Sequence, residues 1–223
     1  MKYALVCLLG AILGAAAACA ALVFNPFDDR PHTAGLIAGF GAEASGELGL
    51  TTGTNTVLAS THEGRIPVPG LAPSTLAEPA IGGVLADLIE LGDAAGAPAG
   101  YAARIAVLAE RSTLLRGELL VDVHWSVWLP GNGSLFIAEE RNLWPLVRRV
   151  VLPMHYRRED FTGPWTFVVT TGPTRSGYGE VIGASGGLAG ERGTLMTIPT
   201  LERWPRAGLP EHHSELRIAL RRR

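Results

Sequence analysis

Apolar and polar residues alternate along much of the second half of the chain. The clearest case is residues 116–129, where the odd positions from Leu119 to Leu129 are apolar and the even positions include Asp122, His124 and Ser126. A period of two is typical of a β-strand that buries one face. A Pro-Gly-Asn-Gly turn at 130–133 then predicts a hairpin with a second strand over Ser134–Glu140.

Other short segments bounded by turn residues complete a mainly β pattern. Turn residues recur every ~8–12 positions, as they do in sandwiches and barrels. We expect an antiparallel β-barrel or a closed sandwich of about eight to ten strands, since closure removes exposed edges. The further predicted strands are Leu36–Phe40, Glu43–Leu50, Thr54–Ser60, Leu146–Tyr156, Pro164–Thr171 and Ser214–Leu220.

Residues 79–91 show instead the spacing of one amphipathic helix. Pro79 suits a first helical position, and Gly92 suits a helix end. Four apolar residues would form one stripe by the i, i+3, i+4, i+7 rule. They are Ile81, Val84, Leu85 and Leu88.

Residues 3–24 contain no charged side chain. A helix of this length spans a hydrocarbon layer of ~30 Å. Lys2 before it, and Asp28 and Asp29 after it, predict a cytoplasmic N-terminus. The small residues around Ala18 leave a cleaved signal peptide open, and Cys19 leaves a lipoprotein site open.

Three parts of the chain follow from this reading. Residues 1–24 are an anchor or signal peptide, residues 25–33 are a proline-containing linker, and residues 34–223 are an extracytoplasmic β-rich domain. The expected location is the cell inner membrane, facing the extracytoplasmic side. If the N-terminal segment is cleaved, the expected location is periplasmic or secreted.

The amino-acid composition argues against several classes of function. The net charge is −2, which is not typical of a nucleic-acid-binding protein. Lys2 is the only lysine, which argues against Schiff-base chemistry, and no cofactor is expected. Cys7 and Cys19 both lie in the apolar segment, so the β-rich domain has no thiol for catalysis or zinc.

Two groups of polar residues have side chains that could serve a catalytic or metal site, but the spacing of each is unfavourable. Asp122, His124 and Ser126 share one strand face, but neighbours of this kind lie ~6.5–7 Å apart, which is long for hydrogen bonds. His212 and His213 are adjacent and would point to opposite sides of a strand. We predict neither catalytic residues nor a metal site.

Residues 181–193 form the most glycine-rich stretch of the chain. Gly183-Ala-Ser185-Gly-Gly187 also fits the Gly-x-Ser-x-Gly elbow of α/β-hydrolases, but the glycines that follow disfavour the helix that the elbow needs. Between two strand-like segments, the stretch predicts a tight turn. The positions that define this turn are Gly183, Ser185, Gly186, Gly190 and Gly193.

This spacing of glycines resembles a motif of the allene oxide cyclase and dirigent-like barrels. The resemblance covers a small part of the chain and implies an antiparallel barrel of about eight strands with an apolar cavity, often in a homo-oligomer. No catalytic residue of that family can be matched onto this sequence. The N-terminal anchor and the predicted helix also depart from the pattern.

Tryptophans are concentrated in the second half of the chain, where the mouth of a barrel would host a ligand. The predicted ligand-binding residues are Val123, Trp125, Trp165 and Phe167. The leading hypothesis is a non-catalytic module that binds an apolar small molecule or a partner protein. The alternatives are an isomerase or cyclase acting on a lipid-like substrate, and a structural subunit of a membrane complex.

Overall fold

A computed structural model describes residues 11–15, 37, 40–41, 44–53, 57–60, 65–67, 75–77 and 84–222 of the chain. In this part of the chain the protein is mainly β. The strands are β1 (Gly46–Gly53), β2 (Val57–Ser60), β3 (Arg65–Pro67), β4 (Thr75–Ala77), β5 (Val84–Gly92), β6 (Pro98–Leu108), β7 (Leu120–Leu129), β8 (Gly133–Asn142), β9 (Phe161–Thr166), β10 (Thr170–Gly172), β11 (Gly179–Gly186), β12 (Glu191–Trp204) and β13 (Glu211–Arg222).

Eleven of these strands form one antiparallel sheet, in the order β1-β13-β12-β11-β8-β7-β6-β5-β2. Strand β10 pairs with β8, β9 pairs with β12, and β3 and β4 form a separate two-stranded sheet. Strand β1 pairs with β13 over eight residues, from Gly46↔Leu220 to Gly53↔His213. Because Thr51 also pairs with Gly92, β1 contacts both β13 and β5.

One face of this sheet carries the buried core and is called the inner face here. Residues directly opposite each other on paired strands share a face, so the alternation of each strand places its apolar residues together. Each fully buried aliphatic side chain contributes ~1.5–3 kcal/mol. The core residues are Leu50, Ile89, Leu91, Ala102, Val123, Trp125, Val127, Leu129, Leu135, Ile137, Val181, Leu195, Leu216 and Ile218.

The predicted hairpin in the second half of the chain is confirmed. Strands β7 and β8 pair in unbroken register from Leu120↔Asn142 to Leu129↔Gly133. The predicted pair of strands around the glycine-rich stretch is also present as β11 and β12, with a turn between them. The last strand, β13, covers the predicted Ser214–Leu220.

The helix predicted for residues 79–91 is wrong over its described part, because β5 begins at Val84. Residues 79–83 lie outside the described part of the chain. Ile89 and Leu91 are buried, whereas Leu85 and Leu88 are 44% and 42% exposed. Strand β5 pairs with β6 over nine residues, and this pairing outweighs the helical spacing of its apolar side chains.

The strand predicted for Leu146–Tyr156 is also wrong, because residues 144–157 are helical. The helix consists of Trp144–Leu146, a π-helical stretch at Val147–Val151, and Leu152–Arg157. Pro145 stands at its first turn, and the wider π turn precedes Pro153, which cannot donate a backbone hydrogen bond. Burial of Trp144 and Val150 outweighs the β-propensity of the valines.

The two glycine-rich turns of the sheet meet backbone to backbone. Gly186 has a φ of +65°, and a Cβ atom there would lie 2.8 Å from the Cα of Gly133. At Gly193 a Cβ atom would lie 2.1 Å from the carbonyl oxygen of Ala219 on β13. Glycine at these two positions therefore permits a left-handed turn and a close approach of two strands.

Only residues 11–15 of the predicted N-terminal span are described, and they are helical. The rest of that span and the predicted linker lie outside the described residues. Within the described part of the chain, none of the helices is both long and apolar enough to cross a bilayer.

Candidate functional site

A group of polar side chains interrupts the apolar inner face near the end at which β5 begins. They come from six different strands, and we call them the inner polar cluster. Each belongs to a strand position that faces the core, so its polar atoms depend on one another for hydrogen bonds. The members are Asp87, Arg104, Trp125, Glu139, Arg141, Thr170 and Thr197.

Glu139 is the centre of this cluster, and its side chain is fully buried. Its Oε2 accepts hydrogen bonds from Trp125 Nε1 and Arg141 Nε, both at 2.9 Å. Its Oε1 accepts a 2.6 Å bond from the Thr170 hydroxyl, which in turn accepts the backbone N–H of Thr197. The carboxylate therefore joins β7, β8, β10 and β12.

Two opposing effects act on the Glu139 carboxyl. Burial on its own would raise the pKa, but the charge of Arg141 and the hydrogen bonds from Arg141, Thr170 and Trp125 lower it overall. Glu139 is consequently kept in its ionised, carboxylate form by these interactions. A general base works best with a pKa near the operating pH, which is the opposite of this arrangement.

A second buried ion pair joins β5 to β6. Asp87 and Arg104 are directly opposite in the register, and Arg104 Nε donates to Asp87 Oδ2 at 2.9 Å, with Nη2 donating to the same oxygen. The Asp87 side chain is 4% exposed and the Arg104 side chain 24%. Burial, followed by the nearby charge of Arg141, lowers the pKa of Arg104, while Asp87 acts to raise it.

Both arginines lie against the ring of Trp125. The Arg104 guanidinium carbon is 5.6 Å from the ring centroid and that of Arg141 is 5.2 Å from it. Contacts of this kind are worth about 0.5–2 kcal/mol each. Trp125 thus links the two ion pairs into one layer with no net formal charge.

The opposite, outer face of β5 to β8 carries several exposed apolar side chains beside the polar residues His124 and Ser126 of β7. Tyr101 and Trp128 are directly opposite in the register, and their rings stack at 5.9 Å with an interplanar angle of 18°. Trp128 is 52% exposed. We call this surface the outer apolar face; it consists of Leu88, Tyr101, Ile105, Val107, Trp128 and Phe136.

The four predicted ligand-binding residues occupy two separate places. Val123 and Trp125 are 1% and 3% exposed on the inner face, where core neighbours surround them. Trp165 and Phe167 stack on each other at 4.0 Å at the β9 end of the sheet, and Phe167 is 7% exposed. Arg149 of the 144–157 helix lies over Trp165 at 5.2 Å. Binding of a ligand by these four residues stays a prediction.

The polar strand face of β7 is tied to its neighbours by ion pairs. Arg111 binds Asp122 through two nitrogens and also binds Glu140. The hydrogen bonds from Arg111 lower the pKa of Asp122. His124 and Ser126 are exposed on the same face. The ion pairs with Arg111 account for the acidic residues of this face, Asp122 and Glu140.

The structure also lacks a hydrolase-type elbow at Ser185, within the described residues. Ser185 lies on β11 and is followed by a turn, not by a helix. The exposed residues Glu202 and His213, the acid and histidine nearest to each other after this turn, lie 3.9 Å apart, and β12 runs for eight residues between the Gly193 and Leu201 pairings. At ~3.3 Å per residue, this pair is about 25 Å from the glycine-rich turn. Among the described residues, no group of three or more His, Cys, Asp or Glu is placed to hold a metal.

Comparison with the models of known protein families and with curated protein sequences finds no match to the chain. The candidate site is therefore defined by its geometry alone.

The inner polar cluster and the outer apolar face were both missed by sequence reasoning. Glu139 and Arg141 follow Leu135 and Ile137 at the same alternating positions, so a charged residue at a core-facing position was the available sign. For the outer apolar face, the available sign in the sequence was that Trp128 and Phe136 occupy positions at which the alternation of their strands otherwise places polar residues.

Proposed function

We propose that the protein is a non-catalytic binding module that recognises a partner protein through the outer apolar face. The observation that carries this proposal is the stacked pair Tyr101–Trp128, continued by exposed Phe136 on the adjoining strand. Exposed apolar surface of this kind marks interaction sites, and tyrosine and tryptophan dominate interface energetics.

The contrast between the two faces of the sheet favours a protein partner over an apolar small molecule. Val123 and Trp125 are already in contact with core residues, so a ligand on the inner face would have to displace them. The outer apolar face needs no such rearrangement. A sheet surface also fits a second polypeptide better than the concave sites that small ligands prefer.

The same proposal includes closure of the sheet. The pairings of β1 with β13 and with β5 support an antiparallel barrel of eight strands, namely β1, β13, β12, β11, β8, β7, β6 and β5. The glycine-rich turn between β11 and β12 supports the resemblance to the allene oxide cyclase and dirigent-like barrels. We also keep the N-terminal anchor or signal, and with it an extracytoplasmic location, within the proposal.

An isomerase or cyclase is the second candidate, and the inner polar cluster is the observation that favours it. Asp87 and Glu139 are buried ionisable groups inside the sheet, as an acid–base site requires. The Glu139 carboxylate accepts hydrogen bonds from three cluster members, Trp125, Arg141 and Thr170, which supports a structural role instead. We therefore place binding ahead of catalysis.

Site-specific photo-crosslinking in the native host tests the proposed interface. A photoreactive amino acid replaces Trp128 or Phe136 in the full-length protein, and Tyr156, which is 71% exposed on the 144–157 helix, is the matched control position. We expect one defined protein adduct from positions 128 and 136 and none from position 156.

The same experiment separates the alternatives. An adduct with a second copy of the chain would make the partner a homo-oligomer. Adducts that are equal at all three positions, or absent at 128 and 136, would contradict the proposed interface. A co-purified apolar molecule in native mass spectrometry would then favour the small-molecule hypothesis.

A further inference from the structure

We propose that one end of the sheet docks on an anionic phospholipid surface. Three connecting segments form this end, and we call them the loop end. They are residues 109–119 between β6 and β7, residues 143–160 between β8 and β9, and residues 205–210 between β12 and β13. None of them belongs to the outer apolar face, so the loop end is separate from the proposed protein interface.

The pairing of the strands brings the three segments to the same end of the sheet. Strands β6 and β8 are both antiparallel to β7, and β8 and β12 are both antiparallel to β11, so β6, β8 and β12 run in one direction. Each segment begins where one of these three strands ends. Hydrogen bonds also join the segments: Asn142 Oδ1 accepts the N–H groups of Leu119 and Trp144, and Arg206 Nη1 donates to the backbone oxygen of Arg158 at 3.2 Å.

The three most exposed large apolar side chains of the described residues all lie at the loop end. Leu115 and Leu209 are each 78% exposed, and Tyr156 is 71% exposed. The turns at the opposite end, which join β5 to β6, β7 to β8 and β11 to β12, are fully described and contain none of the exposed large apolar side chains. Apolar side chains exposed together in this way mark an interaction surface.

The short turn that carries Leu115 is held by regular backbone contacts. It is a 3-10 helix over Leu114–Arg116, and Gly117 closes it with a φ of +70°. Thr113 and Glu118 pair as a β-bridge at its base, and none of the residues within the turn is buried. The structure therefore presents this leucine to solvent from an ordered turn.

The tips of the three segments carry four exposed arginines and no acidic residue. These tips are residues 113–117, 151–158 and 205–209. Within the described part of the chain, none of the four arginine side chains forms an ion pair. They are Arg116, Arg157, Arg158 and Arg206. Glu118, Glu159 and Asp160 lie just outside the tips, and Asp160 accepts the backbone N–H of Arg206 at 3.0 Å.

This combination favours a phospholipid surface over a protein partner. A protein interface is centred on one well-packed, desolvated group of residues. At the loop end, by contrast, the apolar tips come from three separate loops and have arginines beside them. A bilayer accepts each apolar tip independently at the boundary of headgroups and acyl chains, where tyrosine is also favoured. The guanidinium groups match the phosphates of anionic headgroups in charge and geometry.

The lipid contact is independent of the proposed protein partner. It uses described residues alone, and none of them is on the outer apolar face. It also agrees with the expectation of no protein adduct at position 156. Loss of the adducts at positions 128 and 136 would remove the protein interface and leave the loop end untouched.

A polarity-sensitive fluorescent amino acid at position 209 tests the inference. The full-length protein is reconstituted in vesicles of phosphatidylcholine, alone or mixed with phosphatidylglycerol. Because the N-terminal segment is the same in both samples, the difference between them reports on the loop end. We expect a blue-shifted emission at position 209 in the anionic vesicles. The control is position 132, which is exposed in the turn between β7 and β8 and should show no difference.

Arginines near an anionic membrane surface each contribute about a fivefold factor in affinity. Arg157→Gln/Arg206→Gln should therefore lower the ratio of docked to undocked protein about 25-fold. The matched control Arg175→Gln/Arg222→Gln removes the same charge at exposed positions outside the loop end and should behave as the wild type does. Arg157→Lys/Arg206→Lys keeps the charge and should retain most of the docking, which separates loss of charge from loss of fold.

The apolar contribution has its own variant. Leu115→Ser leaves the charge unchanged and should lower the ratio about tenfold. An emission at position 209 that is the same in neutral and anionic vesicles would overturn the proposal, and so would an unchanged ratio in Arg157→Gln/Arg206→Gln. A protein adduct from a photoreactive amino acid at position 209 in the native host would also overturn it, because the partner would then be a protein.

Discussion

The indole Nε1 of Trp125 donates a 2.9 Å hydrogen bond to Oε2 of Glu139 inside the sheet. Trp125 is on β7 and Glu139 on β8, and both are almost completely buried. A tryptophan at this position therefore supplies both apolar area and a donor to a buried carboxylate. Its removal tests whether the polar layer stabilises the fold.

Trp125→Phe should destabilise the protein by about 1–3 kcal/mol, because it takes one donor away from a buried carboxylate. Urea unfolding followed by far-UV circular dichroism measures the change. Trp128→Phe, at the 52% exposed register partner of Tyr101, is the matched control and should stay within about 0.5 kcal/mol of the wild type. Equal effects of the two substitutions would contradict the assigned role.

Asp87→Ala should cost about 3–5 kcal/mol, because it leaves the charge of Arg104 unpaired near the core. The double variant Asp87→Leu/Arg104→Met should recover most of this loss, since a buried ion pair is often replaceable by apolar residues of similar size. Chemical denaturation of the single and double variants measures the difference. A double variant as unstable as Asp87→Ala would contradict the prediction that an unpaired charge is the cause.

The folded protein should become less stable as the pH is lowered, because the Glu139 carboxylate becomes protonated. Its pKa is lower in the folded protein than the ordinary value of 4.5, so the unfolded chain takes up the proton first. The contribution is fully present above the unfolded pKa and is lost as pH falls through the folded pKa. Unfolding free energies between about pH 6 and about pH 3 should therefore decline less steeply in Glu139→Gln than in the wild type.

The comparison for this pH series is Glu180→Gln, which removes one carboxylate at an exposed position. The effect of Glu139 is the difference between the two variants. If the free energy of unfolding of Glu139→Gln changes with pH in parallel with that of the wild type, the pKa of this carboxylate is not lowered by folding.

Gly193→Ala should be strongly destabilising, because its methyl group would lie 2.1 Å from the carbonyl oxygen of Ala219. The clash is with backbone, so β12 and β13 would have to separate locally. Gly46→Ala is the matched control, since no atom lies within 4 Å of the added group. Thermal unfolding should show a clearly lower midpoint for Gly193→Ala alone, and similar midpoints for the two variants would argue against close contact of the strands.

Local sequence features predicted the hairpin of β7 and β8, because the turn at 130–133 and both alternating strands are contiguous in the chain. The inner polar cluster could not be predicted in the same way. Its members come from strands as distant as β5 and β12, and only the tertiary pairings bring them together.

The error at β5 has the same origin. Its buried positions are Asp87, Ile89 and Leu91, and the aspartate breaks the apolar alternation. Asp87 is tolerated there because Arg104 stands opposite on β6. Without knowledge of that partner, the apolar residues fit a helical stripe better than a strand. The helix at 144–157 was missed because its valines favour strands when tertiary contacts are ignored.

The pairing of β1 with β13 joins distant parts of the chain, and directly before β1 the hydroxyl of Ser45 donates a hydrogen bond to Leu220, 175 positions away. During synthesis β1 therefore lacks this partner until β13, about 160 residues later, has been made. Such distant pairings slow folding, because the chain must close a long loop before any contact repays the lost entropy. Until β13 has been made, the edges of β1 and β12 that it covers stay available to the wrong partner, and exposed edges of this kind favour aggregation.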